Sequence, residues 1–89
     1  VRQRITARFH LGPLNKRETA AYIDHRLRVA GARHPIFPAA ARKEIHRRAR
    51  GVPRLVNLIC DRAMLGAFAR GRSSISRAMA RRAAMEITA

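Results

Sequence analysis

Acid is what this chain has least of: against 20 lysines and arginines stand only Glu18, Asp24, Glu44, Asp61 and Glu86. Glu18 is placed to cap a helix, and none of the five forms an evident general acid/base couple. Tryptophan is absent and cysteine occurs once, at Cys60, which excludes an internal disulfide framework. An apolar surrounding segment makes Cys60 a buried, inert thiol rather than a nucleophile. No Cys-x-x-Cys occurs, and His10, His25, His34 and His46 are scattered without metal-ligand spacing, which argues against a zinc site. No Gly-x-x-x-x-Gly-Lys-Ser/Thr run is present, so this stretch has no phosphate-cradling loop or Mg-binding hydroxyl of that kind. No apolar run reaches the length a bilayer needs, and no charged-then-apolar leader opens the chain. Together these absences predict a chain that catalyses nothing on its own.

Eighty-nine residues support one domain, and a chain of this size buries about two-thirds of its unfolded surface, too little for a large catalytic cleft. Opening at Val1, it reads as a soluble piece of something longer, and its cysteine usage fits the cytoplasm. The formal charge of +15 comes from 18 arginines and 2 lysines. Such a field draws polyanions: nucleic acid, acidic lipid or nucleotide phosphate. With 17 alanines alongside, the arginine excess is equally consistent with a genome rich in arginine and alanine codons, and both readings stand.

Helical spacing with glycine and proline punctuation predicts an all-α, four-helix bundle preceded by a short extended segment around Phe9, which Gly12-Pro13 breaks. Asn15 and Glu18 have the spacing of a capping box, so the first helix starts there; Ala20, Ile23, Leu27 and Ala30 mark its buried stripe, and Gly31 stops it. Pro38 at a first-turn position opens a second helix, in which Ala41, Ile45 and Ala49 recur at four-residue steps among Arg42, Lys43, Arg47, Arg48 and Arg50. Gly51 ends it. A third helix runs from Pro53 to about Arg70, and a fourth, from about Ser76, carries Met79, Ala83 and Ile87 on one side. Leu27, Ile45, Leu55 and Ile59 are the expected core centre.

The most informative stretch is Gly51-Val52-Pro53-Arg54, directly before an apolar run over residues 55–68. Glycine closes one helix with a positive φ, and proline opens the next because a first-turn position needs no N–H donor. Arg54 then falls in a first turn, where a helix already presents unpaired N–H groups and partial positive charge. A guanidinium there suits a phosphate from outside the domain, although a solvated arginine in a basic protein is the plain alternative. Arg54, Asn57 and Asp61 recur at i, i+3 and i+7, a single polar stripe on an otherwise apolar helix. For Asn57 and Asp61 an internal hydrogen-bond network is the favoured reading.

These residues carry a resemblance. Val1-Arg2-Gln3-Arg4-Ile5, Phe9-His10-Leu11 with Pro13-Leu14, Glu18-Thr19, Tyr22-Ile23, Arg26-Leu27, Ala30-Gly31, and Gly51-Val52-Pro53-Arg54-Leu55-Val56-Asn57 with Cys60-Asp61 together resemble the C-terminal lid of an AAA+ ATPase. The chain is most similar to the family of general secretion pathway protein A and related type IV pilus biogenesis ATPases, over nearly its whole length. Gly-x-Pro-Arg is shared by many AAA+ lids, and the continuation through Asn57 and Cys60-Asp61 narrows the choice. The resemblance implies that residues 1–12 end a preceding nucleotide-binding domain and that residues 13–89 form the helical lid. It implies that Arg54 is the sensor 2 arginine, supported by Gly51, Pro53 and Asn57, and that it reaches the phosphates of ATP whose Mg is held by that preceding domain. Arg2 and Arg4 match an arginine pair that can face a neighbouring subunit's nucleotide. It further implies a homo-oligomeric parent ATPase, secretion or pilus machinery as partners, and a place in the cytoplasm, at the inner face of the inner membrane through the parent.

The competing expectation is a helical DNA-binding module. The second and third helices around Gly51 have the outline of a helix-turn-helix, with Arg42, Arg47, Arg48 and Arg50 available to phosphates. Against it, a recognition helix needs polar side chains for base edges, and residues 55–68 are too apolar to read a groove. Any nucleic-acid contact is therefore expected to be non-specific.

Overall fold

A computed structural model describes residues 12–88, and within them all regular structure is helical: α1 (Lys16–Val29), α2 (Ala39–Ala49), α3 (Pro53–Ala69) and α4 (Arg77–Thr88). The extended segment expected around Phe9 lies outside the described residues. The expected all-α, four-helix bundle is the observed one.

Helix α1 starts where its cap chemistry places it. The Asn15 Oδ1 accepts from the Glu18 N–H, and the Glu18 Oε1 accepts from the Asn15 N–H, both at 2.8 Å. At the other end Gly31 has φ +94. The Gly31 N–H donates to the Arg28 carbonyl and the Ala32 N–H to that of Leu27, the Schellman pairing that a left-handed residue makes possible. Arg72 and Gly71 close α3 on Ala67 and Phe68 by the same pattern.

Two boundaries differ from expectation by one residue. Pro38 is the N-cap of α2 rather than part of its first turn, with extended backbone and no side-chain cap. Helix α2 stops at Ala49; its C-cap, Arg50, already has φ 56, and Gly51 follows with φ 76. These two successive left-handed residues form the turn between α2 and α3.

The core is small-residue packing around a few isoleucines. Ile45 and Ile59 are fully buried with Val56 and Ile75, while Ala41, Ala49, Ala63, Ala80, Ala83 and Ala84 let the helix backbones approach closely. Each isoleucine is worth about 1.5–3 kcal/mol of transfer free energy. Leu27 and Leu55, expected at the centre, pack against its edge and are only partly buried. Of the expected stripe on α1, Ile23 is buried and Ala20 and Leu27 are partly buried, Thr19 is buried beside them, and Ala30 is exposed because it is the C-cap, past the last helical residue. On α4 the buried positions are Ala80, Ala83 and Ala84, with Met79 and Ile87 partly buried beside them. Between the helices the Ile75 N–H donates to the Ile36 carbonyl at 2.9 Å, joining the α1–α2 loop to the α3–α4 loop.

Candidate functional site

The turn from α2 into α3 is built by sequence and held by a remote backbone contact. Val52 is an extended N-cap without a side-chain hydrogen bond, Pro53 is the first helical residue, and no acid stands in the first turn. Arg54 follows, exposed, and among the described residues it makes no ion pair. Its guanidinium therefore adds charge at the positive end of a 17-residue helix that no carboxylate offsets.

Beneath the turn lies Leu14. Its N–H donates to the Gly51 carbonyl at 2.8 Å. Its carbonyl lies 3.1 Å from His46 Nε2, which donates to it in the tautomer with the proton on Nε2. The residues leading into α1 are thereby fastened both to α2 and to the turn that presents Arg54. Nothing in the spacing of Gly51 to Arg54 signals this contact, because it joins residues 37 positions apart; the glycine was its only trace.

Asn57 stands one turn beyond Arg54 and is half-buried, and its Nδ2 donates to the Tyr22 hydroxyl at 2.9 Å. The internal hydrogen-bond role expected of Asn57 is thus observed: it ties α3 to α1. Asp61, third on the stripe, is exposed. Arg54 and Asn57 share a neighbourhood, and Gly51 and Pro53 shape the turn below them, so four of the expected site residues come together. Arg2 and Arg4 lie outside the described residues.

Cys60 lines a cavity of 340 Å³ between α1 and α3, together with Ile23, Leu27, Val56 and Asn57. Burial, and secondarily the charge of Asp61, pushes its thiol up to about 12, so it is a packed apolar group rather than a nucleophile. Among the described residues no three His, Cys, Asp or Glu side chains converge as a metal site, and no helix is long and apolar enough to cross a membrane.

Sequence reasoning missed Glu44. It is 2% exposed. Its Oε2 accepts from Arg48 Nε at 2.8 Å and from Arg47 Nη2 at 3.1 Å, and its Oε1 from Arg77 Nε at 3.3 Å. The Arg48 bond holds this carboxyl below the usual range; burial opposes that shift, and Arg77 and the charge of Arg47 reinforce it. The i+3 and i+4 spacing to Arg47 and Arg48 was a signal in the sequence; Arg77, 33 residues away, was not.

The fold defines a class first: a small all-α domain with an arginine-bearing, glycine-proline turn between its second and third helices. Over 73 residues, 82% of this chain, it is 55% identical to General secretion pathway protein A of Aeromonas hydrophila, which supports its placement in that protein's family. The chain spans 13% of the length of that relative. No family model matches the chain, and no solved structure does.

Proposed function

We propose that this domain is the helical lid of an AAA+ ATPase of the secretion or pilus-assembly type, and that Arg54 senses ATP bound to a preceding nucleotide-binding domain of the same chain. The observation that carries the reading is Arg54 itself, exposed and without a carboxylate partner in the uncapped first turn of α3. Such a donor set fits a polyphosphate: a planar fork of N–H groups at the positive end of a helix dipole. ATP supplies the transferable phosphoryl group, with its Mg held by the preceding domain. Arg54 contributes charge stabilisation at phosphoryl oxygens, and Gly51, Pro53 and Asn57 hold its turn in place.

Because Leu14 is fastened to Gly51, a shift of the chain entering α1 is passed to the turn of Arg54. That link gives the parent a route from nucleotide state to lid position, and from there to subunit assembly in a homo-oligomer. Arg2 and Arg4 are proposed to face the neighbouring subunit. Secretion or pilus machinery as partners, and a cytoplasmic place at the inner membrane, belong to the same proposal.

Steady-state ATP hydrolysis by the full-length parent carrying Arg54→Ala, measured beside its melting curve, tests the reading. Hydrolysis falls while melting is unchanged; wild-type kinetics with unchanged assembly would reject the sensor assignment.

A further inference from the structure

The destinations of the chain's side-chain carboxylates leave one strongly basic region with a single counter-charge, Glu44. Glu18 is used in the capping box, Asp24 pairs with Arg42, Glu86 pairs with Arg62, and Asp61 lies beside the cavity between α1 and α3. Glu44 is shared by three arginines. The eleven residues before the described ones contain no acid.

Around Glu44 is a concavity of 630 Å³, lined by Lys16, Lys43, His46, Arg47 and Arg77 as well as by Glu44 and Ala40. It draws on the start of α1, on α2 and on the start of α4. Four permanent cations face one carboxylate that is already fully engaged. Arg47 and Arg77 each spend a single N–H on Glu44, out of the five a guanidinium carries. Among the described residues their other donors have no hydrogen-bond acceptor. Glu44 anchors Arg77 through Nε and Arg47 through one terminal Nη2, which meets part of the cost of ordering two flexible cations before a ligand arrives.

We propose that this concavity is a binding site for a small soluble oligophosphate, separate from the turn of Arg54, which does not line it. Guanidinium forks match phosphoryl oxygens, and the clustering of cations calls for several negative charges on adjacent groups. The one aromatic ring in the lining, His46, is held through Nε2 on the Leu14 carbonyl, and no Phe, Tyr or Trp is there to stack a base, nor any large apolar side chain to enter a lipid layer. The recognised part is therefore the phosphate chain, with or without a nucleoside attached.

The experiment is calorimetric titration of the 89-residue chain with tripolyphosphate at fixed, near-physiological salt, with a melting curve for every variant. Lys43→Gln with Arg77→Gln is compared with a charge-matched pair outside the concavity, Arg33→Gln with Arg81→Gln. The site pair is expected to weaken binding by about ten-fold or more, ~1.4 kcal/mol, and the control pair by less than about three-fold. Lys16→Gln with Lys43→Gln removes lining charge without touching Glu44, and serves if loss of Arg77 unfolds the chain. Equal losses in the site and control pairs would mean a diffuse field rather than a site, and would overturn the proposal. So would abolition of tripolyphosphate binding by Arg54→Gln, or binding to phosphatidylglycerol vesicles without binding to tripolyphosphate.

Discussion

Gly51 has its carbonyl hydrogen-bonded to the Leu14 N–H at 2.8 Å, and the Leu14 carbonyl occupies the place a side chain at Gly51 would need. A Cβ built there collides with that oxygen, whereas one built at Gly71 meets nothing within 4 Å. Both glycines are left-handed, at φ 76 and 67. Gly71→Ala is therefore expected to cost about 1–2 kcal/mol, the backbone penalty alone. Gly51→Ala adds a clash with backbone, about 1–3 kcal/mol more. Equal urea midpoints for the two variants would show that Leu14 does not press on the turn.

Ile59 and Leu65 share α3 but not its environment: Ile59 is fully buried and Leu65 is 61% exposed. Ile59→Ala is expected to destabilise by about 2–5 kcal/mol, from lost transfer energy and a residual cavity. Leu65→Ala should stay within about 0.5 kcal/mol. A cost under half a kcal/mol for Ile59→Ala would remove α3 from the core.

Acid should reveal Glu44. Its folded carboxyl titrates below the ordinary value of 4.5, so the unfolded chain takes up the proton more readily. The stabilisation is present above that ordinary value and is lost as pH falls through the folded one. At neutral pH Glu44→Gln should cost about 1.5–3 kcal/mol, the scale of charged hydrogen bonds. The difference between wild type and variant should shrink on acidification, and parallel stability curves down to about pH 2 would show that Glu44 is not held low.

The helices were legible because their signals are local. The Asn15–Glu18 box, the glycine after α1 and the proline opening α3 act within a few residues, where spacing is informative. The tertiary contacts that make the site were not: Leu14 to Gly51, Arg77 to Glu44 and Tyr22 to Asn57 each join residues more than 30 apart. The position of Leu27 and Leu55 at the edge of the core has a related cause. Ile45, Ile59, Ile75 and Val56, on the second helix, the third helix and the loop after it, fill the centre, while Leu27 lines the cavity between α1 and α3, a placement that only the tertiary packing decides.

DNA binding by the chain, where it occurs, should be salt-sensitive and indifferent to sequence. The outward face of α3 mixes Arg54, Asp61 and Arg62 with Leu58, Leu65 and Phe68, the last 82% exposed. The three apolar side chains cannot hydrogen-bond a base edge, and Arg62 is already paired with Glu86, so no continuous row of base-reading groups is left. Fluorescence titrations with two unrelated duplexes across a salt series should give matching affinities and slopes. A preference of about 10³-fold for one sequence would restore the helix-turn-helix reading.

Arg54→Lys distinguishes a fork from a point charge. Arg54 is exposed and outside the core, so both Arg54→Ala and Arg54→Lys should leave the melting of this chain within about 0.5 kcal/mol of wild type. In the full-length parent the two should diverge from wild type together. Lysine restores the charge but not the planar, multidentate geometry that a triphosphate engages, and rescue should be poor. Where the arginine stabilises transition-state charge, turnover falls on the order of 10³-fold; where it reads the ground state, ATP affinity weakens instead and kcat is spared. Measuring kcat and KM for both variants separates these roles. Full rescue by lysine would mean that Arg54 serves only as a positive charge at the helix end, and the assignment of a phosphate-reading fork would fall.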